Sequence, residues 1–377
     1  MGENMLEENM QKGFSLLALA LVLFGVLFGL CLPASAQTYT FSTLYSFRSD
    51  NNSSGPPTDP SALIVDPAGN VYGTTAFGGK GGDGTVYELS SAGVFTVLHA
   101  FSGTDGYFPQ NLIRDTKGNL YGSTWQVGYP GTVFELVKGS AGHYSFTNLY
   151  DAAYAEPGSL SVDSEGNIFG SNGVNPGSCL CLFEIPAGGQ WEGIYSTGGF
   201  PAYPGNVLIG QAGIVYASVD YDAAGNTGYI IEVAGGTQRY DMPTEAGGAY
   251  LAGQDATGNI YGTTWGETGI DPLSVLFKLD LSAGTVSHVY TFASGQGTFA
   301  PLVIDSAGNT YGAAYNDADI GFVFKITPQG KETVLYTFPK NGPGYGLVTD
   351  GAGNLYGFTY YGGTYNGGTI YKLTLTK

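Results

Sequence analysis

The sequence predicts an all-β fold, a seven-bladed β-propeller of four-stranded antiparallel blades, and three observations carry that prediction. A motif of about eight residues recurs seven times, at intervals of about 47 residues. The 377 residues include 62 Gly, 18 Pro and 28 Tyr, and only 12% are charged, a makeup that disfavours long helices while supplying turns and strand-forming aromatics. The pattern of the repeat's last strand also occurs once more ahead of the first repeat.

The elements follow in chain order. Phe14 to Leu32 is almost unbroken apolar, preceded by Lys12 and followed by Pro33-Ala34-Ser35-Ala36. This is the form of a secretory leader with a small-x-small cleavage site, so residues 1–36 are expected to be removed and 37–377 to form one propeller domain. Glu3, Glu7 and Glu8 are unusual ahead of such a leader, and Met10 makes a better start. A run of this length also suits an uncleaved anchor, the competing reading. After cleavage no membrane insertion is expected, and the protein is expected to be secreted, periplasmic or held at the cell surface.

The motif Asp-x-x-Gly-Asn-φ-(Tyr/Phe)-Gly begins at Asp66, Asp115, Asp163, Asp255, Asp305 and Asp350, and a degraded copy runs from Leu208 to Ala217. Asp-x-x-Gly is a hairpin turn, the Asp accepting from backbone N–H groups and the Gly taking positive φ. The small residue after the Tyr suits a strand packed close to its neighbour. In the first repeat four strands are expected, near 62–66, 70–75, 85–89 and 94–101. Third strands repeat as Thr85-Val86-Tyr87-Glu88-Leu89 and its equivalents, with large apolar residues placed to join neighbouring sheets. The seventh repeat has no fourth strand after Leu373, while Thr43-Leu44-Tyr45-Ser46-Phe47 copies Val334-Leu335-Tyr336-Thr337-Phe338. Residues 39–47 are therefore expected to complete the last blade and close the ring, which removes the exposed edges.

Segments such as Gly84-Thr85-Val86-Tyr87-Glu88-Leu89, Leu98-His99-Ala100-Phe101 and Gly118-Asn119-Leu120-Tyr121-Gly122-Ser123-Thr124 resemble the GloVer tandem repeat of exported bacterial choice-of-anchor proteins. The resemblance spans nearly all of the chain after the leader. It implies a β-propeller-like scaffold and brings no activity or catalytic residue with it.

Charge narrows the partners. With 13 Lys and Arg against 31 Asp and Glu, net −18, neither a nucleic-acid surface nor docking on anionic lipid is expected. Four residues beyond the motif Tyr stand Trp125, Trp265, Tyr315 and Tyr360, on second-to-third strand loops. Rings in a partial circle on one face suit stacking on sugars; the plainer reading is that each lids its own blade. Asp220, Asp222, Asp271, Asp317 and Asp319 are oxygen ligands of the type Ca²⁺ takes, but their spacing completes no known loop, so solvated turn carboxylates are the main reading and no cofactor is expected. Cys179 and Cys181 are two thiols or a strained local bridge, and Cys-x-Cys alone is short of a metal site.

The third-strand charge is Glu88, Glu135, Glu184 and Glu232 in repeats 1–4, then Lys278, Lys325 and Lys372 in repeats 5–7, which is expected to be a solvated outer rim. His99, His143 and His288 fall near fourth strands, the outermost, which argues for scaffold roles, and no catalytic residue can be assigned. The leading functional expectation is a monomeric, non-catalytic propeller binding polysaccharide or a cell-surface protein. A hydrolase or lyase acting on an extracellular glycan is the alternative, and a purely structural ring a third reading.

Overall fold

The computed structural model of the protein describes residues 38–48, 58–124, 131–152, 155–174, 179–222, 228–233, 237–242, 248–264, 274–293, 302–315, 320–339 and 346–376. The leader segment lies outside them. Chain contacts set the propeller, Tyr39–Leu375, apart from a terminal unit whose described residues, Thr38 and Thr376, share a 2.6 Å hydroxyl–hydroxyl hydrogen bond. The propeller has seven blades of four antiparallel strands, and among the described residues the only helical turns are Ser140–Gly142 and Gln211–Gly213.

Blade 1 comprises Thr58–Val65, Val71–Phe77, Thr85–Leu89 and Phe95–Ala100, hydrogen-bonded in that order. Blades 3 and 4 share one 18-residue strand, Glu192–Ile209, whose first half pairs with Cys179–Ile185 and second half with Val215–Asp222. The degraded fourth repeat is thus a full blade, with register breaks around Ala202, Pro204 and Val207 where the strand passes between sheets. Blade 7 consists of Val348–Thr349, Leu355–Thr359, Asn366–Thr376 and, as its fourth strand, Thr38–Arg48. The ring closes through the N-terminal strand, as the sequence predicts.

Each motif residue has a defined role. Asp66 Oδ1 accepts from the Ala68 and Asn70 amides at 3.0 and 2.9 Å, and Oδ2 from Asn70 Nδ2 at 3.0 Å. Asn70 Oδ1 in turn accepts the Ser91 amide at 2.9 Å, so the Asn ties the first hairpin turn to the second. The same tie recurs from Asn119 to Lys138 and Asn167 to Ala187, and in blade 7, which has no second hairpin, Asn354 accepts the Leu375 amide of the third strand. Gly69 closes the turn at φ +80°, where a Cβ is disfavoured. At the second motif Gly the constraint is space. A Cβ on Gly73 would lie 2.2 Å from the Tyr87 hydroxyl, and one on Gly122 2.3 Å from Phe134 Cζ. The third-strand ring therefore lies flat across the second strand, which only Gly permits.

The core consists of seven seams. Each of the seven buried clusters joins one blade to the next, including Phe47, Tyr356, Phe358 and Ile370 of blade 7 with Leu63, Val71, Tyr87 and Leu89 of blade 1. A recurring contact pins four of these seams. Phe101, Phe292, Phe338 and Phe47, at fourth-strand ends, meet Phe134, Phe324, Tyr371 and Tyr87 of the following blade at 5.2, 5.4, 5.2 and 5.7 Å between ring centroids.

Nearer the axis the seams are polar. Ser61 Oγ donates to Pro109 O at 2.7 Å and Asn111 Nδ2 to Gly158 O at 2.9 Å. The Val207 amide donates to Ser159 Oγ at 2.8 Å, while Asn206 both donates to Leu251 O and accepts the Leu251 amide. These side chains stitch successive first strands together, which explains Ser or Asn just ahead of the motif in blades 1–4.

Candidate functional site

Loops joining second to third strands, and those passing from one blade to the next, emerge on one face of the propeller; the Asp-x-x-Gly turns emerge on the other. On the first face, Trp125 and Trp265 lie outside the described residues. Tyr315 ends the strand Thr310–Tyr315, and its side chain is likewise outside them, as are those of Asp220, Asp222, Asp271, Asp317, Asp319, Cys179 and Cys181. Tyr360 is described. Its ring is half-buried, edge-on to Phe358 at 5.6 Å, and packs against the seam between blades 7 and 1.

Of the exposed aromatics on this face, Phe77 and Tyr361 lie one residue further on and Tyr365 five residues beyond Tyr360. Tyr361 and Tyr365 are 62% and 50% exposed and Phe77 is 39% exposed. They ride on two loops of the same length and construction. In blade 1, Thr75 Oγ1 donates to Phe77 O at 2.9 Å and meets Thr85 Oγ1 at 2.7 Å, and the Gly84 amide donates to Gly78 O. In blade 7, Thr359 Oγ1 donates to Tyr361 O at 2.7 Å and meets Thr369 Oγ1 at 2.9 Å, and the Gly368 amide donates to Gly362 O. These bonds make the Gly-rich loops rigid mounts for their aromatic residues. The Arg48 guanidinium lies 5.0 Å from the Tyr365 ring centroid, holding that ring from one side. The sequence signal for Phe77 and Tyr361 is the position five beyond the motif Tyr, which strand alternation turns outward while the fourth position turns in.

The blade 1 loop is locked to the connection leading to blade 2. The Phe101 amide donates to Gly84 O at 3.0 Å and the Phe108 amide to Asp83 O at 3.1 Å; Phe108, at φ +49°, meets Phe77 edge-on at 4.6 Å. Asp105 accepts the Ser102 amide at 2.8 Å and pairs through Oδ2 with His99 Nε2 at 2.9 Å. The imidazole stacks on Phe146 at 4.1 Å, and burial pulls its pKa below the ordinary value against the opposing pull of Asp105. Burial and the Asp105 charge together push the Asp83 carboxyl up. Carboxyls and an imidazole are the groups acid–base chemistry uses, but His99 sits on the outermost strand of its blade. His288, by contrast, is exposed and bonded to Thr291 Oγ1 at 2.7 Å. Among the described residues no group of three or more His, Cys, Asp or Glu is placed to hold a metal ion.

On the opposite face the third-strand charges are half-buried, unlike the solvated rim expected from the sequence. Each pairs across the strands with the motif aromatic: Tyr72 with Glu88, Tyr121 with Glu135, Phe169 with Glu184, Tyr216 with Glu232, Tyr261 with Lys278, Tyr311 with Lys325 and Tyr356 with Lys372. The tyrosines are held protonated; burial, followed by the charge of and hydrogen bond to Asp255, pushes Tyr261 up to about 12. Lys325 and Lys372 lie over the rings of Tyr311 and Tyr356 at 5.4 and 5.0 Å. Between blades 1 and 2, where Tyr72 and Tyr121 donate to Glu88 and Glu135, and blades 6 and 7, the Glu-to-Lys change thus exchanges a hydroxyl–carboxylate contact for a cation–π contact at one structural position.

The model of a family described as the Gloeobacter/Verrucomicrobia repeat matches residues 24–231. Among solved structures, the oligogalacturonate lyase of Vibrio parahaemolyticus superposes with a TM-score of 0.61 at 10% identity, over 90% of this chain and 98% of that one. The periplasmic gluconolactonase of Pseudomonas aeruginosa gives 0.51 at 16% identity, over 74% and 85%. The polysaccharide lyase Uly1 gives 0.52 at 12% identity, over 92% and 94%. At these identities the likeness is one of fold. No curated protein matches the chain.

Proposed function

Because the chain belongs to the Gloeobacter/Verrucomicrobia repeat family, whose repeat here accounts for the scaffold, we propose that its function lies in what two neighbouring blades add to that repeat: an aromatic face that binds an extracellular polysaccharide. The observation that carries this reading is the pair of matched Gly-rich loops presenting Phe77, Tyr361 and Tyr365 to solvent. Rigid flat rings with an apolar face and, for Tyr, a hydroxyl at the rim suit the alternation of C–H faces and hydroxyls on a sugar chain. In the sequence Trp125, Trp265 and Tyr315 stand at the neighbouring position of repeats 2, 5 and 6, as Tyr360 does in repeat 7, and the three are candidates for further contacts with the same ligand. The leader-like segment at 14–32 supports a place outside the cytoplasm, which N-terminal sequencing of the mature protein tests: a start at Gln37 is expected.

Affinity electrophoresis through gels containing single polysaccharides tests the binding. Retardation by at least one glycan is expected, reduced about tenfold in affinity in the Tyr361→Ala/Tyr365→Ala double variant at about 0.5–1.5 kcal/mol per ring. Unchanged retardation in that variant overturns the aromatic face.

A second reading, glycan cleavage, is favoured by the Asp83, Asp105 and His99 set beside Phe77. It predicts release of reducing ends or unsaturated products from a bound glycan, abolished by Asp83→Asn. Binding without turnover over prolonged incubation contradicts it.

A further inference from the structure

On the Asp-x-x-Gly face a cleft of ≈ 220 Å³ opens at the seam between blades 7 and 1, lined by Gly69, Ser91, Gly93, Asp350, Tyr356 and Lys372 among others. What belongs there is legible from two other seams. Blade 2's fourth strand brings Tyr144, paired with Lys138, onto the motif tyrosine of blade 1: the Tyr72 and Tyr144 hydroxyls are hydrogen-bonded, and Tyr144 also donates to Gly118 O at 3.4 Å. Blade 7's fourth strand brings Tyr39 onto Tyr311 of blade 6 with the same hydroxyl-to-hydroxyl bond. In both cases a tyrosine of the following blade fills the seam above the motif Asp and Tyr.

In blade 1 the position holds no tyrosine, as in blades 5 and 6, where Gly284 and Gly330 occupy it. Phe95 stands opposite Leu89 as Phe146 does opposite Leu136, so two residues earlier the counterpart of Tyr144 is Gly93. The shorter turn of blade 1, closed by the Gly93 amide on Ser90 O at 2.8 Å, turns the chain back before a side chain can project. Nothing lies within 4 Å of where a Gly93 Cβ would stand. The walls that elsewhere receive a phenol remain: the Tyr356 hydroxyl donates to Asp350 Oδ2 at 3.1 Å, and Lys372 lies over the Tyr356 ring.

We infer that the cleft between blades 7 and 1 is a binding socket for a phenol ring, which takes the place that Tyr144 and Tyr39 hold at their seams. The hydroxyl meets Tyr356, Asp350 and Lys372, and the ring lies between Leu44 and the Pro67–Gly69 turn. The volume is sufficient, since an apolar cavity of about 150 Å³ accepts benzene. The site is independent of the sugar-binding face, because it lies on the opposite side of the ring.

Ligand-observed ¹⁹F NMR with 4-fluorophenol tests it on the full chain. Saturable binding at about millimolar affinity is expected for so small a ligand. Fluorobenzene, lacking the hydroxyl, should bind at least about tenfold more weakly. Ser91→Phe should fill the cleft and abolish binding, because Ser91 contributes only its backbone amide to the fold. Should that variant fold poorly, Lys372→Met, which leaves the hairpin untouched, should weaken binding about fivefold or more. Displacement by N-acetyltyrosinamide supports the inference with a tyrosine-bearing partner as occupant, and its failure while 4-fluorophenol binds supports it with a free phenolic molecule. Non-saturating binding, equal binding of fluorobenzene, or binding undiminished in both variants overturns it.

Discussion

Ring closure by the N-terminal strand makes Phe47 as much a core residue as any in the interior of the chain. Its side chain is fully buried, packed among Tyr45, Tyr87 and Phe95 at centroid distances of 5.0, 5.7 and 6.0 Å. Phe338, at the matching end of blade 6, is 4% exposed and meets Tyr371 at 5.2 Å. Replacing either by Ala removes a buried phenyl and leaves a cavity between two sheets, which costs about 3–5 kcal/mol. Phe47→Ala and Phe338→Ala should therefore lower stability by the same amount to within about 1 kcal/mol. Urea unfolding followed by near-ultraviolet circular dichroism reads this as a fall of roughly 1 M in midpoint for each. A Phe47→Ala shift less than a quarter of the Phe338→Ala shift refutes the closure, because a strand lying loosely on the last blade would give up its phenyl at little cost.

Three further outcomes follow from the repeat. Gly122→Ala should destabilise by about 1–3 kcal/mol or more, since the new Cβ meets Phe134 Cζ at 2.3 Å and Asn111 O at 2.6 Å; a thermal melt within a degree of the parent contradicts the close crossing. Tyr87→Phe and Tyr371→Phe should be neutral or stabilising, because both hydroxyls are buried with no hydrogen-bond partner and blades 2, 3, 5 and 6 carry Phe134, Phe183, Phe277 and Phe324 there; a loss above about 1 kcal/mol shows that the hydroxyls are bonded. Burial pushes the Asp163, Asp255 and Asp350 carboxyls up, but the hydrogen bonds donated to each outweigh it and hold them below the ordinary value. A depressed folded-state pKa means that this stability is present above the unfolded value of about 3.9 and lost as pH falls through the folded value. Urea midpoints should therefore be level from pH 6 to 8 and fall below about pH 4, and the Asp255→Asn variant should show the smaller acid decline; an acid decline as large as the parent's removes the turn carboxylates as its cause.

The blade was legible because its constraints are local and repeated. Asp66, Gly69 and Gly73 each answer to a turn or a close crossing that a single strand pair imposes. Closure was legible from Thr43 to Phe47 because a fourth-strand pattern without its own third strand has one place to go. The role of Asn70 was not, since its partner Ser91 lies 21 residues away in the second hairpin. Nor was the inner Ser and Asn stitching, which depends on the neighbouring blade 45 to 48 residues away. At the aromatic face the exposure of single rings was not legible: Tyr360 turns toward Phe358 and Tyr361 toward water, a difference set by how Thr359 ties down the loop. The Glu and Lys of the third strands suggested an outer rim only because their tyrosine partners become neighbours once the second and third strands are paired.

The claim that the loops of blades 7 and 1 hold the ligand is tested most directly by hydroxyl-radical footprinting of the protein with and without a polysaccharide that retards it. Protection should concentrate on Phe77, Tyr361 and Tyr365, the exposed rings of this face, while the exposed Val97 and Val334 of the outer fourth strands react unchanged. Undiminished labelling of all three rings at saturating glycan, with protection confined to the outer strands or the Asp-x-x-Gly face, would contradict the account.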